Sequence, residues 1–245
     1  MSFLSPLPGV KIIPVQQLMK NGFSKDLYNI QHIRTKFMKR TENKMIKNIV
    51  FDIGNVLVSF RPEEFIDTVI FNKDIAQCVC NAIFKSQEWL MLDRGVTTEE
   101  EALKVFCERD KDLTVHIQNA MKDWHQMLTP IDDTVEMLQK LKKSGYKIYY
   151  LSNYQIAAFE FIRRYKFFNL FDGGILSCNV KLLKPEKEIY EKLSEVYGIK
   201  PEESIFIDDT LVNVEGAKKQ GFESIQFAGC DDLKMKLAEF NVHVN

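Results

Sequence analysis

The sequence has no C-x-x-C pair, no histidine at zinc-ligand spacing and no apolar run approaching the ~18 residues of a membrane span. Its five cysteines, Cys78, Cys80, Cys107, Cys178 and Cys230, are odd in number and scattered. They read as reduced thiols in a cytoplasmic protein, since cysteine behaves by default as a small buried hydrophobe. The N-terminus lacks the compact apolar core of a secretory signal. An excess of charge of one sign is missing too: 33 basic against 34 acidic residues leave a net charge of −1, so nothing in the total charge calls for a nucleic acid or a membrane as partner. Internal repeats and low-complexity runs are also absent. The chain does have size and apolar content, with 245 residues of which 45% are hydrophobic, enough for one full core with or without a large insertion.

The charge is unevenly spread. Residues 1–44 hold Lys11, Lys20, Lys25, Arg34, Lys36, Lys39, Arg40 and Lys44 against only Asp26 and Glu42. A basic leader thus precedes an acidic body. It reads as a poorly ordered extension, with Met45 a natural start before the first strand. From Ile46 onward, strand and helix patterns alternate. "IKNIVFD" is an apolar strand, "TPIDDTVEMLQKLKKSG" a helix with an acidic first turn and a basic last turn, and "YKIYYLSN" the next strand. A helix at about 154–166, a strand "GGILSC", a helix from Pro185 to Gly198, a strand "SIFIDD", a helix "LVNVEGAKKQG", a strand "FESIQF" and a last helix "DDLKMKLAEF" follow. Such alternation predicts an α/β fold, a three-layer doubly wound parallel sheet. Residues 61–128 break it with an almost wholly helical pattern, in which Thr98 and Glu101 form a capping-box signature. They read as an inserted all-helical cap, dividing the core into residues 45–60 and 129–245.

Three of the predicted strands end in polar groups: Asp52, the pair Ser152 and Asn153, and the pair Asp208 and Asp209. Ligands of open parallel sheets bind outside the carboxyl ends of the strands, so these groups should converge on one crevice. Lys184 stands before Pro185, a residue suited to a first helical turn, and is preferred as a site lysine over Lys181.

In their order, "FDIGNVLV", "LSN", "LKPEKEIY" and "FIDDTLVNVEGAKKQG" resemble the four motifs of the haloacid dehalogenase-like hydrolase superfamily. The region "EWLMLDRGVTTEEEAL" resembles the cap of a subgroup that includes glucose-1-phosphate phosphatases, and the phosphatase domain of soluble epoxide hydrolase is more distantly similar. The resemblance implies a Mg²⁺-dependent phosphatase of a small phosphorylated metabolite, a hexose 1-phosphate favoured, working as a monomer or homodimer through an aspartyl-phosphate intermediate. Asp52 would be the nucleophile, with Ser152 and Lys184 catalytic. Ser152, Asn153, Lys184 and Arg94 would bind substrate. Asp52, the backbone of Gly54, Asp209 and Asp208 would hold the metal. The physics agrees: a carboxylate attacks phosphorus only where the phosphoryl charge is neutralised and the attack is in line, and hard oxygen donors suit Mg²⁺.

Gly54 departs from the pattern. Most phosphatases of the superfamily carry a second aspartate there, which protonates the leaving oxygen. A glycine transfers no proton. Three readings follow: a substrate with an easy leaving group, a proton donor lent by the cap (Asp93 or His125), or a hydrolytic dehalogenase, against which the pair Asp208 and Asp209 argues. A non-catalytic phospho-ligand binding protein is a further alternative. Trp89, Trp124 and Phe84 suit either packing inside the cap or stacking on a sugar ring.

Overall fold

The computed structural model describes residues 45–244; the basic extension expected over residues 1–44 lies outside them. Five strands, β1 (Asn48–Phe51), β2 (Lys147–Ser152), β3 (Gly173–Leu176), β4 (Ser204–Asp208) and β5 (Glu223–Gln226), form a sheet. Its order is β3-β2-β1-β4-β5 and every pairing is parallel. The winding direction reverses between β1 and β4, so the crevice for ligands is expected where Asp52 and Asp208 emerge.

Alternating side chains explain why both faces are covered. Ile49, Phe51, Ile205 and Ile207 enter one core, while Val50, Phe206, Tyr149 and Leu151 enter the other. On the second face lie α9 (Lys187–Tyr197) and α10 (Leu211–Lys219), through Ile189, Tyr190, Leu193 and Ala217. On the first lie α6 (Asp132–Lys143), α7 (Ile156–Ile162) and α11 (Cys230–Glu239), through Leu138, Leu141, Ile162, Leu233 and Leu237. Strands apolar on both faces can be stable only between two helical layers.

Between β1 and α6 the chain forms α1 (Pro62–Val69), α2 (Lys73–Phe84), α3 (Gln87–Arg94), α4 (Glu99–Arg109) and α5 (Thr114–Asp123). Their starts are written in the sequence. Asn72 accepts the N–H groups of Asp74 and Ile75, Ser86 that of Trp89, and Thr98 with Glu101 makes the full capping box. The chain leaves and rejoins the core side by side, Ser59 N–H bonding the Thr129 carbonyl at 2.7 Å and Ile131 N–H the Leu57 carbonyl at 2.9 Å.

Three local expectations are corrected. β3 stops at Leu176, and Ser177 and Cys178 open the short helix α8 (Ser177–Val180), because the Ser177 hydroxyl is turned to the backbone of Tyr154 and Asp93. The helix expected at 154–166 is α7 followed by a 3₁₀ turn at Lys166–Leu170. The helix expected from Pro185 starts at Lys187, with Glu186 as its cap residue, so Pro185 belongs to the preceding loop; the Lys184–Pro185 peptide is cis.

Candidate active site

Asp52 leaves β1 with its carboxylate held at one oxygen. Oδ1 accepts hydrogen bonds from Ser152 Oγ at 2.6 Å and from its neighbour's N–H, Ile53, at 2.8 Å, and Lys184 Nζ stands 2.8 Å from the same atom. Lys184 Nζ also meets Asp208 Oδ2 at 2.6 Å. One buried ammonium therefore bridges the ends of β1 and β4. Burial first, and then the nearby Asp208 charge, push the Asp52 carboxyl up to about 7 despite Lys184. Burial works against the Lys184 charge, but Asp52 and Asp208 outweigh it and the ammonium is stabilised.

The loop carrying Lys184 is held from two sides. The Asn153 amide is reciprocally paired with the Lys184 backbone, its Nδ2 donating to the carbonyl at 3.1 Å and its Oδ1 accepting from the N–H at 2.8 Å. Asn153 was expected to bind substrate; in the structure its amide positions Lys184. Glu186 accepts the Leu183 N–H at 3.1 Å and forms a two-point pair with Arg94, at 2.5 and 3.2 Å. Arg94 also donates to the Lys181 carbonyl at 3.2 Å. The structure therefore does not bring the Arg94 guanidinium to the Asp52 cluster; it ties α3 to the Lys184 loop. Lys181 is exposed.

Oxygen ligands of Asp52, Asp208 and Asp209 lie within 4.8 Å of one another. Asn213 donates from its Nδ2 to both oxygens of Asp208, at 3.1 and 3.2 Å. Together with the Thr210 N–H at 2.8 Å, this fixes the Asp208 carboxylate from behind. Asp209 is hydrogen-bonded by the Asn55 side chain and by the Thr210 hydroxyl, yet burial and the Asp208 charge hold its carboxyl above the usual range. Three carboxylates facing one lysine leave excess negative charge, and all the donors are hard oxygens. This set fits a small divalent cation such as Mg²⁺.

Beside this cluster opens a cavity of about 80 Å³ that reaches Gly54 and Asn153. Phe60, Trp89, Trp124 and Leu128 form the apolar part of its wall. Trp89 and Trp124 meet edge to face at 4.9 Å, so the aromatic pair both packs and lines. Phe84 lies behind, 4.6 Å from Trp89. Asp93 also lines the cavity; its carboxyl is pushed well above the usual range by burial, and next by the charge of Asp52. The hydroxyl of Tyr154 and both amide atoms of Gln155, a residue only 3% exposed, are buried there without a hydrogen-bond partner among the described residues. Unpaired buried polar groups are costly and call for a ligand or water that satisfies them. His125 is elsewhere, its ring stacked 4.2 Å from that of Trp124 and its Nε2 3.5 Å from Glu99.

Asn55, Tyr154 and Gln155 are site residues that the sequence pattern does not single out. Asn55 carried a signal: it follows the glycine after the strand, and it adopts the left-handed φ of 54° that asparagine tolerates. Gln155 carried none, since an amide in a loop says nothing of its surroundings.

A model of the haloacid dehalogenase-like hydrolase family matches residues 46–221, more than half of the sequence. The chain belongs to that family of hydrolases. A sesquiterpene phosphatase of Aspergillus oryzae is 26% identical over 193 residues, 77% of this chain and 95% of that protein. An (S)-2-haloacid dehalogenase of Burkholderia cepacia is 27% identical over 140 residues, 56% of this chain and 58% of that protein. Among solved structures, a family enzyme of Bacteroides thetaiotaomicron in complex with magnesium and inorganic phosphate superposes with a TM-score of 0.61 at 27% identity, covering 74% of this chain and 93% of that one.

Proposed function

We propose that the protein is a Mg²⁺-dependent phosphatase that hydrolyses a small phosphomonoester through a phosphorylated Asp52. The observation that carries this reading is the cluster of Asp52, Asp208 and Asp209 around Lys184. The metal would be held by Asp52, Asp208, Asp209 and the backbone carbonyl of Gly54, and when bound it neutralises phosphoryl charge. Asp52 Oδ1 is engaged by Ser152, Ile53 and Lys184, so Oδ2 is the oxygen with lone pairs for attack. Ser152 and Lys184 then hold phosphoryl oxygens as charge shifts from the nucleophile to the phosphate. Asn153 contributes by keeping Lys184 in place.

The cavity supports a substrate class. Its aromatic walls suit the face of a sugar ring, and the free groups of Gln155 and Tyr154 suit hydroxyls. With Arg94 engaged by Glu186, a neutral leaving group such as a sugar or polyol is favoured over a second phosphate. A hexose 1-phosphate stays the preferred candidate, as a metabolite of the cytoplasm.

Phosphate release from a panel of sugar phosphates and p-nitrophenyl phosphate, with and without Mg²⁺, tests the proposal. Turnover should need Mg²⁺ and fall by ~10⁴-fold or more in Asp52→Asn. Unchanged turnover in that variant would remove Asp52 from its role. Metal-independent halide release from a 2-haloacid would replace the reading with dehalogenation; the acidic cluster disfavours this, because a halide leaves with neither proton nor metal. Binding of phosphate without turnover of any ester would point to a phospho-ligand binding protein.

A further inference from the structure

Gly54 leaves the proposed reaction without a proton donor at the position next to the cluster, and the structure suggests where the donor is. A methyl group built on Gly54 would meet no heavy atom of the described residues beyond its chain neighbours within 4 Å, so packing does not demand the glycine. The space where an acidic side chain could stand is open. Gly54, Asn153 and Asp93 line one and the same cavity.

We propose that Asp93, at the end of α3, is the general acid and base of the reaction, doing from the helical insert what residue 54 cannot do from the core. The proposal rests on the phosphatase reading and adds the catalytic group that reading lacks. Of the cavity's lining residues only Asp93 and Tyr154 titrate, and burial holds the Tyr154 phenol far above neutral pH, where it could not give up and regain a proton in each cycle. His125 is engaged with Glu99 and stacked on Trp124. Lys184 is locked between Asp52 and Asp208.

Three links hold the end of α3 on the core, so that the position of Asp93 does not depend on a loose lid. The Asp93 carbonyl accepts the Ser177 hydroxyl, which in turn accepts the Tyr154 N–H at 2.8 Å. Arg94 makes its two-point pair with Glu186. Gly95 ends the helix at φ +73°, and a Cβ there would lie 2.3 Å from the Cys178 carbonyl oxygen. Residues 93 to 95 are thereby pressed onto α8 and the loop that follows it. Trp89 and Trp124 line the same cavity, and an apolar surround of that kind excludes competing water.

An Asp52 oxygen forms a bond to phosphorus as the ester P–O bond breaks, and the departing oxygen takes the Asp93 proton, leaving the Asp93 carboxylate. Water then attacks phosphorus; its proton goes to Asp93, the Asp52–phosphorus bond breaks, and inorganic phosphate leaves with both aspartates restored.

The test compares two esters in Mg²⁺, p-nitrophenyl phosphate, whose leaving group needs no proton, and glycerol 2-phosphate, whose leaving group does. Asp93→Asn should lower kcat/KM for glycerol 2-phosphate by ~10² to 10³-fold and that for p-nitrophenyl phosphate by less than ~10-fold. Adding Gly54→Asp to Asp93→Asn should restore much of the glycerol 2-phosphate rate. Equal losses on both esters, or no loss on either, would overturn the role of Asp93 while the phosphatase reading stands. A parent protein inactive on both esters and on the sugar phosphates would overturn both. If Asp93→Asn fails to fold, Asp93→Ser gives the same comparison.

Discussion

Asp52 and Asp172 are each held by lysine and by a backbone N–H, yet their proton affinities move in opposite directions. Asp172, just before β3, accepts from Lys142 at 2.5 Å, from Lys147 at 2.9 Å and from the Ile148 N–H at 2.9 Å. Burial opposes its charge, but those bonds outweigh it and the carboxyl falls to about 2. Asp52 has a single lysine, shares it with Asp208, and rises to about 7. Asp172 is a finished junction between α6, β2 and β3. Asp52 belongs to a group whose negative charge exceeds the positive charge around it. The difference lies first in burial, which penalises the Asp52 charge more heavily, and then in the charges within reach among the described residues: two lysines to one carboxylate at the junction, one lysine to three carboxylates at the crevice.

Removing the shared lysine breaks the contrast most severely. Lys184→Met strands Asp52 and Asp208 in a buried setting, and breaking such a pair costs ~3–5 kcal/mol; urea denaturation in the absence of metal should read a loss of that size, with phosphate release abolished. A loss under about 1 kcal/mol would mean that the two carboxylates are protonated together and do not need the lysine.

Adding the missing positive charge should stabilise the crevice only. At about a hundredfold excess over its Kd, Mg²⁺ should raise the stability of the parent by ~2–3 kcal/mol. Asp209→Asn should show much less of this gain, and Asp172→Asn all of it. A gain that ignored Asp209 would move the cation elsewhere.

The junction predicts a pH dependence of definite sign. A carboxyl whose folded value lies below its unfolded one, here about 2 against 3.8, adds stability at neutral pH that is lost as pH falls through that interval. Asp172→Asn should therefore lower stability at pH 7 by ~1–2 kcal/mol, allowing for solvent screening, and have no such effect near about pH 2. Denaturation curves of parent and variant that stay parallel down to about pH 2 would show that the two lysines leave this group unperturbed.

The smallest effect is expected at the pair of Arg94 and Glu186, each side chain about one-third exposed. Arg94→Ala should cost at most ~1 kcal/mol. Its KM for small phosphate esters should remain close to that of the parent if the guanidinium is a tie rather than a substrate ligand. A KM raised ~10-fold with kcat unchanged would return Arg94 to the substrate.

Much of the fold was legible because parallel α/β proteins repeat a simple signal. Apolar runs such as "NIVF" and "SIFID" can be buried on both sides only in a central strand, and the capping box of Thr98 and Glu101 marks a helix start by local hydrogen bonding. Legibility failed where a side chain answered to a distant neighbour. Ser177 ends β3 because Tyr154 and Asp93 require its hydroxyl. Asn213, in α10, likewise answers to Asp208 at the end of β4.

By itself the sequence determined the strand-ending groups Asp52, Ser152 and Asp208, the order of their motifs, and the glycine at 54, since these depend only on residue type and local period. Only the tertiary structure decided that Arg94 and Asn153 hold the Lys184 loop, that Asp93 and Gln155 line one cavity with Gly54, and that Asp52 shares its lysine. Those facts are distances between residues far apart in the chain, and a carboxylate's charge, donors and reach are set by what folding brings beside it.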